Sequence, residues 1–147
     1  MRRLLCLLTA ALALAACAHA PRGPEPEFLT PYGPPKNPFS PAVRVGNLLF
    51  LAGQIGTDAS GKVVAGGIQA EARQALNNIS DVLRKTGSSM DNVVKCTVFM
   101  ADMKEWPAMN EIYATYFPQP APARATIQAA KLPRDVKVEI DLIAYLK

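Results

Sequence analysis

Histidine is almost missing from this 147-residue chain, and cysteine is scarce. The single histidine is His19, and the cysteines are Cys6, Cys17 and Cys96. Transition-metal sites draw mainly on these two residue types, so no metal site is expected. Basic charge is not concentrated anywhere. Taking Arg2 and Arg3 from the 16 basic residues leaves 14 against 12 acidic ones. No basic stripe interleaved with aromatics occurs, which argues against an electrostatic nucleic-acid footprint. There are no internal repeats and no P-loop, and Gly53-Gln54-Ile55-Gly56 alone does not make a dinucleotide-binding turn.

Long apolar runs are missing too, except at the start. Leu4 to Ala16 is apolar apart from Thr9 and follows the cationic Arg2-Arg3. It is shorter than the roughly 20 residues a membrane span needs, so residues 1–16 read as a signal peptide. Leu14-Ala15-Ala16-Cys17 resembles the lipobox of bacterial lipoproteins, in which the cysteine is lipidated and becomes the new N-terminus. Ala18-His19-Ala20 also fits an ordinary signal-peptidase site, but that cut would leave Pro21 first. The expected location is therefore periplasmic, as a membrane-anchored lipoprotein; the alternative is a soluble secreted protein. Cys6 leaves with the signal, so a mature chain keeps one free thiol, Cys96, and no disulfide of its own. Cys96 reads as a small buried hydrophobe within Val93 to Met100.

Residues 17–38 are dense in proline and poor in large apolar side chains, so they read as an extended tether. His19 lies in it and is not expected to serve as a ligand. The folded domain is expected over 39–147. Val43 to Val45 and Leu48 to Gln54 read as strands joined at Gly46-Asn47, a hairpin signal. Ile68, Ala72, Ala75, Leu76, Ile79, Val82 and Leu83 recur at helical spacing, with Gly87 as the C-terminal stop. Val93 to Met100 is a third strand. Asp102 is the candidate N-cap of a second helix whose apolar face includes Trp106, Met109, Ile112, Tyr113, Tyr116 and Phe117. Strands follow at Arg124 to Ala129 and Val136 to Ala144. The order β-β-α-β-α-β-β predicts an α+β fold, a mixed sheet with two helices on one face.

Two residues stand out chemically. Arg124 opens a strand after a Pro-rich loop, where a fixed guanidinium can hold a carboxylate by two parallel hydrogen bonds. Glu139 lies mid-strand on the polar face, where a carboxylate can act on water as a general base. Taken one at a time, both also fit ordinary surface charges.

A wider pattern connects them. Pro122-Ala123-Arg124, then a short strand, then Leu132-Pro133, then Val138-Glu139-Ile140-Asp141-Leu142-Ile143-Ala144 is similar to the signature of the YjgF/RidA family. Leu51-Ala52-Gly53-Gln54-Ile55, Val98 to Met103 and Met109 to Tyr113 extend the resemblance over residues 37–147. It implies a chorismate-mutase-like fold assembled as a homotrimer, with ligand clefts between subunits. It also implies hydrolysis of imines or enamines such as 2-iminopropanoate to ammonia and a 2-keto acid, without metal or organic cofactor. Arg124 would hold the substrate carboxylate and Glu139 would orient water. Phe39, Ala52, Gly53, Asn110 and Thr126 would line the pocket. Phe39, Ala52 and Thr126 stand where the best-known deaminases carry Tyr, Ser and Cys, which bears on rate and substrate preference. Two other readings remain open: a non-enzymatic binder of small carboxylates, and a hydrolase of another periplasmic metabolite. The expected partners are a small imino or keto acid and further copies of the chain, with no nucleic acid and with membrane contact only through the lipid. Changing Cys17 to Ser is expected to stall processing or release the protein from membranes, as read by fractionation. A wild type found wholly in a soluble periplasmic extract would overturn the lipobox reading.

Overall fold

A computed structural model describes residues 23–147. The expected signal at 1–16, Cys17 and the start of the expected tether lie outside the described residues. Six strands form one sheet: β1 (Glu27–Leu29), β2 (Ala42–Val45), β3 (Leu48–Ile55), β4 (Val93–Met100), β5 (Ala123–Gln128) and β6 (Val138–Tyr145). Helix α1 (Gly67–Lys85) follows β3, and helix α2 (Trp106–Tyr116) follows β4. The strand order is β1-β2-β3-β6-β4-β5. Only the β4–β5 pair is parallel; the other pairs are antiparallel. This is the expected α+β arrangement, a mixed sheet with two helices.

Burial alternates along β6. Val138, Ile140, Leu142 and Ala144 are buried, and the residues between them are half-exposed. A strand presents successive side chains to opposite faces, so one face of the sheet joins the helices in the core. The apolar stripe read from the sequence on α1 is the buried one, from Ile68 to Leu83. On α2 the core positions are Met109, Ile112 and Tyr113. The end of α1 is a Schellman motif: Ser88 N–H bonds to Leu83 C=O at 2.8 Å and Gly87 N–H to Arg84 C=O at 3.4 Å. Gly87 takes φ 84° there, a conformation that glycine adopts without steric penalty.

Two expectations need correction. The folded unit starts before Phe39. Glu27–Leu29 pairs with β2, in the register Glu27 to Arg44 and Leu29 to Ala42. The segment from Glu27 to Thr30 is the longest stretch without proline between Pro24 and Pro31. Its backbone N–H groups can therefore enter a ladder, while prolines on either side stop it. The Asp102 cap also serves a different element. Its carboxylate accepts the Lys104 N–H at 2.9 Å, closing a short 3-10 turn over Met103–Glu105. Helix α2 begins only at Trp106, with Pro107 in its first turn.

Just past the end of β3 the chain packs closely on α1 at Gly56. A Cβ there would lie 2.6 Å from Glu71 Cα and 2.7 Å from Glu71 O on α1. Glu71 itself is 6% exposed, and its Oε2 accepts the Lys137 backbone N–H at 2.7 Å. A methyl at Gly56 must push α1 off the sheet and disturb that bond. Gly56→Ala is expected to cost about 1–3 kcal/mol by overpacking, read as a lower urea midpoint. An unchanged midpoint would mean that α1 shifts freely at this point.

Candidate active site

Glu139 is placed by the alternation of β6. Its neighbours Val138 and Ile140 take the core, so its carboxylate leaves on the opposite face, in register with Ile55 on one side and Phe99 on the other. The ladder between β3 and β6 is irregular from Leu51 to Gln54. Gly53 sits in that irregularity. A Cβ on it would fall 2.9 Å from Glu139 Cδ and 3.0 Å from Cγ. A side chain at 53 would push the Glu139 carboxylate out of this position. Burial holds the Glu139 pKa above the usual carboxylate value, and the nearby negative charge of Asp141 adds to this. Among the described residues it has no ion-pair partner. The carboxylate opens on a cleft of about 550 Å³ whose lining includes Tyr32, Phe39, Gly53, Gln54, Arg134 and Glu139. Ala52 adjoins it, with its N–H on Pro41 C=O at 3.0 Å.

Arg124 is placed otherwise. It sits on the edge strand β5 beside Cys96 of β4. Cys96 is buried on the helix side of the sheet, and laterally paired residues share a face. Arg124 therefore turns toward α2, where its guanidinium lies 4.5 Å from the Tyr113 ring centroid and 5.7 Å from that of Trp106. Stacking on ring faces holds the cation through the aromatic quadrupole and leaves its N–H donors in the guanidinium plane. Arg124 forms no ion pair among the described residues. A second cleft of about 370 Å³ is lined by Asn110, Tyr113, Pro122 and Arg124, among others. Thr126, in register with buried Val98, follows on the same face as Arg124. Cys96 is a buried free thiol whose pKa is raised first by burial, which suits a packing role.

The residues read from the sequence thus fall into two groups. Phe39, Gly53 and Glu139 share one cleft, with Ala52 beside it; Asn110 and Arg124 share another, with Thr126 next along the strand. Arg124 and Glu139 lie on opposite faces of the sheet, and one chain does not bring them together. Tyr32 and Arg134 line the Glu139 cleft and were not legible beforehand. Tyr32 lay in the supposed tether. Arg134 lay in a turn, where it and Asp135 take φ values of 59° and 57°, a region few residues other than glycine enter. Among the described residues no cluster of metal-ligating side chains occurs.

Residues 32–146 match the family described as Endoribonuclease L-PSP. The chain belongs to that family, the YjgF/RidA family of the motifs above. A mouse (Mus musculus) relative named 2-iminobutanoate/2-iminopropanoate deaminase is 48% identical over 108 residues, covering 73% of this chain and 80% of its own. A RutC family protein of Pyrococcus horikoshii is 45% identical over 112 residues, covering 76% of this chain and 89% of its own. The YjgF gene product of E. coli superposes with a TM-score of 0.73 at 34% identity, over 82% of this chain and 98% of that one. Yeast Mmf1 superposes with a TM-score of 0.77 at 35% identity, over 84% and 100%.

The raised pKa of Glu139 has a consequence for stability. Between the ordinary value of 4.5 and its higher folded value, the folded state holds more protons than the unfolded one. Stability from this group therefore falls as pH rises through that window. Glu139→Gln, which cannot ionise, is expected to match the wild type in Tm below the window and to exceed it at neutral pH. A melting series across pH reads this directly; a variant less stable at neutral pH would contradict the burial argument.

Proposed function

We propose that this protein hydrolyses 2-imino acids, the tautomers of enamines such as 2-aminoacrylate, to ammonia and a 2-keto acid. The observation that carries this is an arginine stacked on aromatic rings with no ion pair among the described residues, matched by a carboxylate of raised pKa in an open cleft. The imine-deaminase names of its relatives support the same reaction. Arg124 holds the substrate carboxylate through a bidentate pair of N–H bonds. Glu139 orients a water at hydrogen-bond distance, roughly 3 Å, and accepts its proton as the oxygen attacks the imine carbon. Glu139 returns that proton to the nitrogen to give the neutral carbinolamine, and moving the hydroxyl proton to the amine by the same route expels ammonia as the carbonyl forms. No covalent nucleophile is needed, because the imine is already open to water and positioning accelerates its attack. Phe39 and Ala52 provide no hydroxyl here, while Thr126 keeps a donor.

The working form is a homotrimer in which one subunit supplies the Arg124 cleft and its neighbour the Glu139 cleft. The opposite-face placement of the two residues supports this. So do the apolar residues on the sheet face away from the helices, where Phe50 is 41% and Ile127 48% exposed. The signal at 1–16 and lipidation at Cys17 would place this trimer in the periplasm, tethered to a membrane.

The test is to time ammonia or pyruvate release from iminopyruvate generated in situ. Arg124→Ala and Glu139→Gln are each expected to lose about two orders of magnitude, and Arg124→Lys to recover little because the fork is gone. Refolding the two inactive variants together should restore about a quarter of the sites, as random mixing in a closed ring requires. No restoration would place both residues in one subunit's site. A wild type no faster than the uncatalysed rate, yet still binding pyruvate through Arg124, would make this a carboxylate-binding protein.

A further inference from the structure

We propose that Tyr32 is a specificity-determining residue of the Glu139 cleft, forming with Phe39 a wall for 2-imino acids with branched or aromatic side chains. This rests on the hydrolase reading above. Tyr32 and Phe39 line the same cleft as Glu139. Pro41, Ile55 and Val82 extend the apolar part of the wall, while Asn37, Gln54, Thr57 and Arg134 make the rest polar. At about 550 Å³ the cleft falls within the range of roughly 300–1,000 Å³ that holds organic ligands larger than a three-carbon acid.

Tyr32 is fixed although it is 54% exposed. Its hydroxyl donates to Asp81 Oδ2 on α1 at 2.8 Å. The Lys85 ammonium stands 4.2 Å from its ring centroid. Asp81 is in turn held by Arg84 and, at 3.6 Å, by Lys85. The segment is also pinned on its N-terminal side, because β1 ends at Leu29, paired with Ala42. Burial, then the bond to Asp81, pushes the Tyr32 pKa up to about 12, so the hydroxyl remains a donor at neutral pH. A ring held by its hydroxyl and by a cation gives a rigid apolar surface at little entropic cost. Such a wall rewards substrate carbons beyond the first side-chain atom and is indifferent to a lone methyl. The region read from the sequence as a spacer thus supplies part of the substrate cleft.

The experiment compares imines generated in situ from alanine, leucine and phenylalanine by an amino-acid oxidase. In wild type, Tyr32→Ala, Tyr32→Phe and Asp81→Ala, kcat/KM is measured for each imine, with a thermal melt as the folding control. Tyr32→Ala is expected to lower the leucine-to-alanine and phenylalanine-to-alanine ratios about tenfold, the scale on which apolar pockets discriminate. Tyr32→Phe keeps the ring and should retain most of the ratio. Asp81→Ala frees the ring and should lose part of it. Calorimetry with 4-methyl-2-oxopentanoate, phenylpyruvate and pyruvate reads the same preference without turnover. Ratios unchanged in both rate and binding, in a protein that hydrolyses imines, would overturn the inference alone. No hydrolysis by wild type, with a binding preference that Tyr32→Ala abolishes, would overturn the hydrolase reading and leave the wall in place.

Discussion

Along β6 the period of two sends Val138, Ile140, Leu142 and Ala144 under the helices and forces Glu139 to the other face. A slip of one residue would exchange the two sets, burying Glu139 and Asp141 among core side chains. The cost of burying two carboxylates without partners makes the register unambiguous. β6 is also central, flanked by β3 and β4, so its register is transmitted to both halves of the sheet. The position of the proposed base follows from core packing, before any demand of chemistry enters.

The same logic explains the glycine opposite it. The carboxylate of Glu139 occupies the space where a side chain at position 53 would stand. β3 accommodates this by breaking its ladder between Leu51 and Gln54. Gly53 thereby sets backbone beside the carboxylate, and both line the cleft. Arg124 is governed by a different force. Stacking on Tyr113 and Trp106 replaces the ion pair that would otherwise consume its donors. The two groups proposed to act on an imino acid are thereby held on opposite faces of the sheet in one chain.

The N-terminal region shows how composition can mislead. Seven prolines between 21 and 38 describe a stretch that cannot form a helix, and that much is true of it. Yet a gap of a few residues is enough for one short strand, and one tyrosine past that strand is enough to reach α1. Three ladder pairs and a hydroxyl–carboxylate bond convert a spacer into part of a wall. None of these contacts leaves a periodic trace, since they join residues up to 49 positions apart.

The sequence by itself determined the elements whose signal is local and repeated. The stripe on α1, the glycine stop after it, the strand from Val93 to Met100 and the polar position of Glu139 all follow from side-chain period and turn chemistry. The motif around Arg124 and Glu139 likewise named the residues worth watching. Tertiary structure alone decided which faces those residues occupy relative to one another. That depends on the parallel pairing of β5 with β4 and the antiparallel pairing of β6 between β3 and β4, which no single strand encodes. It also decided that Tyr32 and Arg134 belong with Glu139. Their contacts are long-range and unrepeated, and only the closed chain brings them to one cleft.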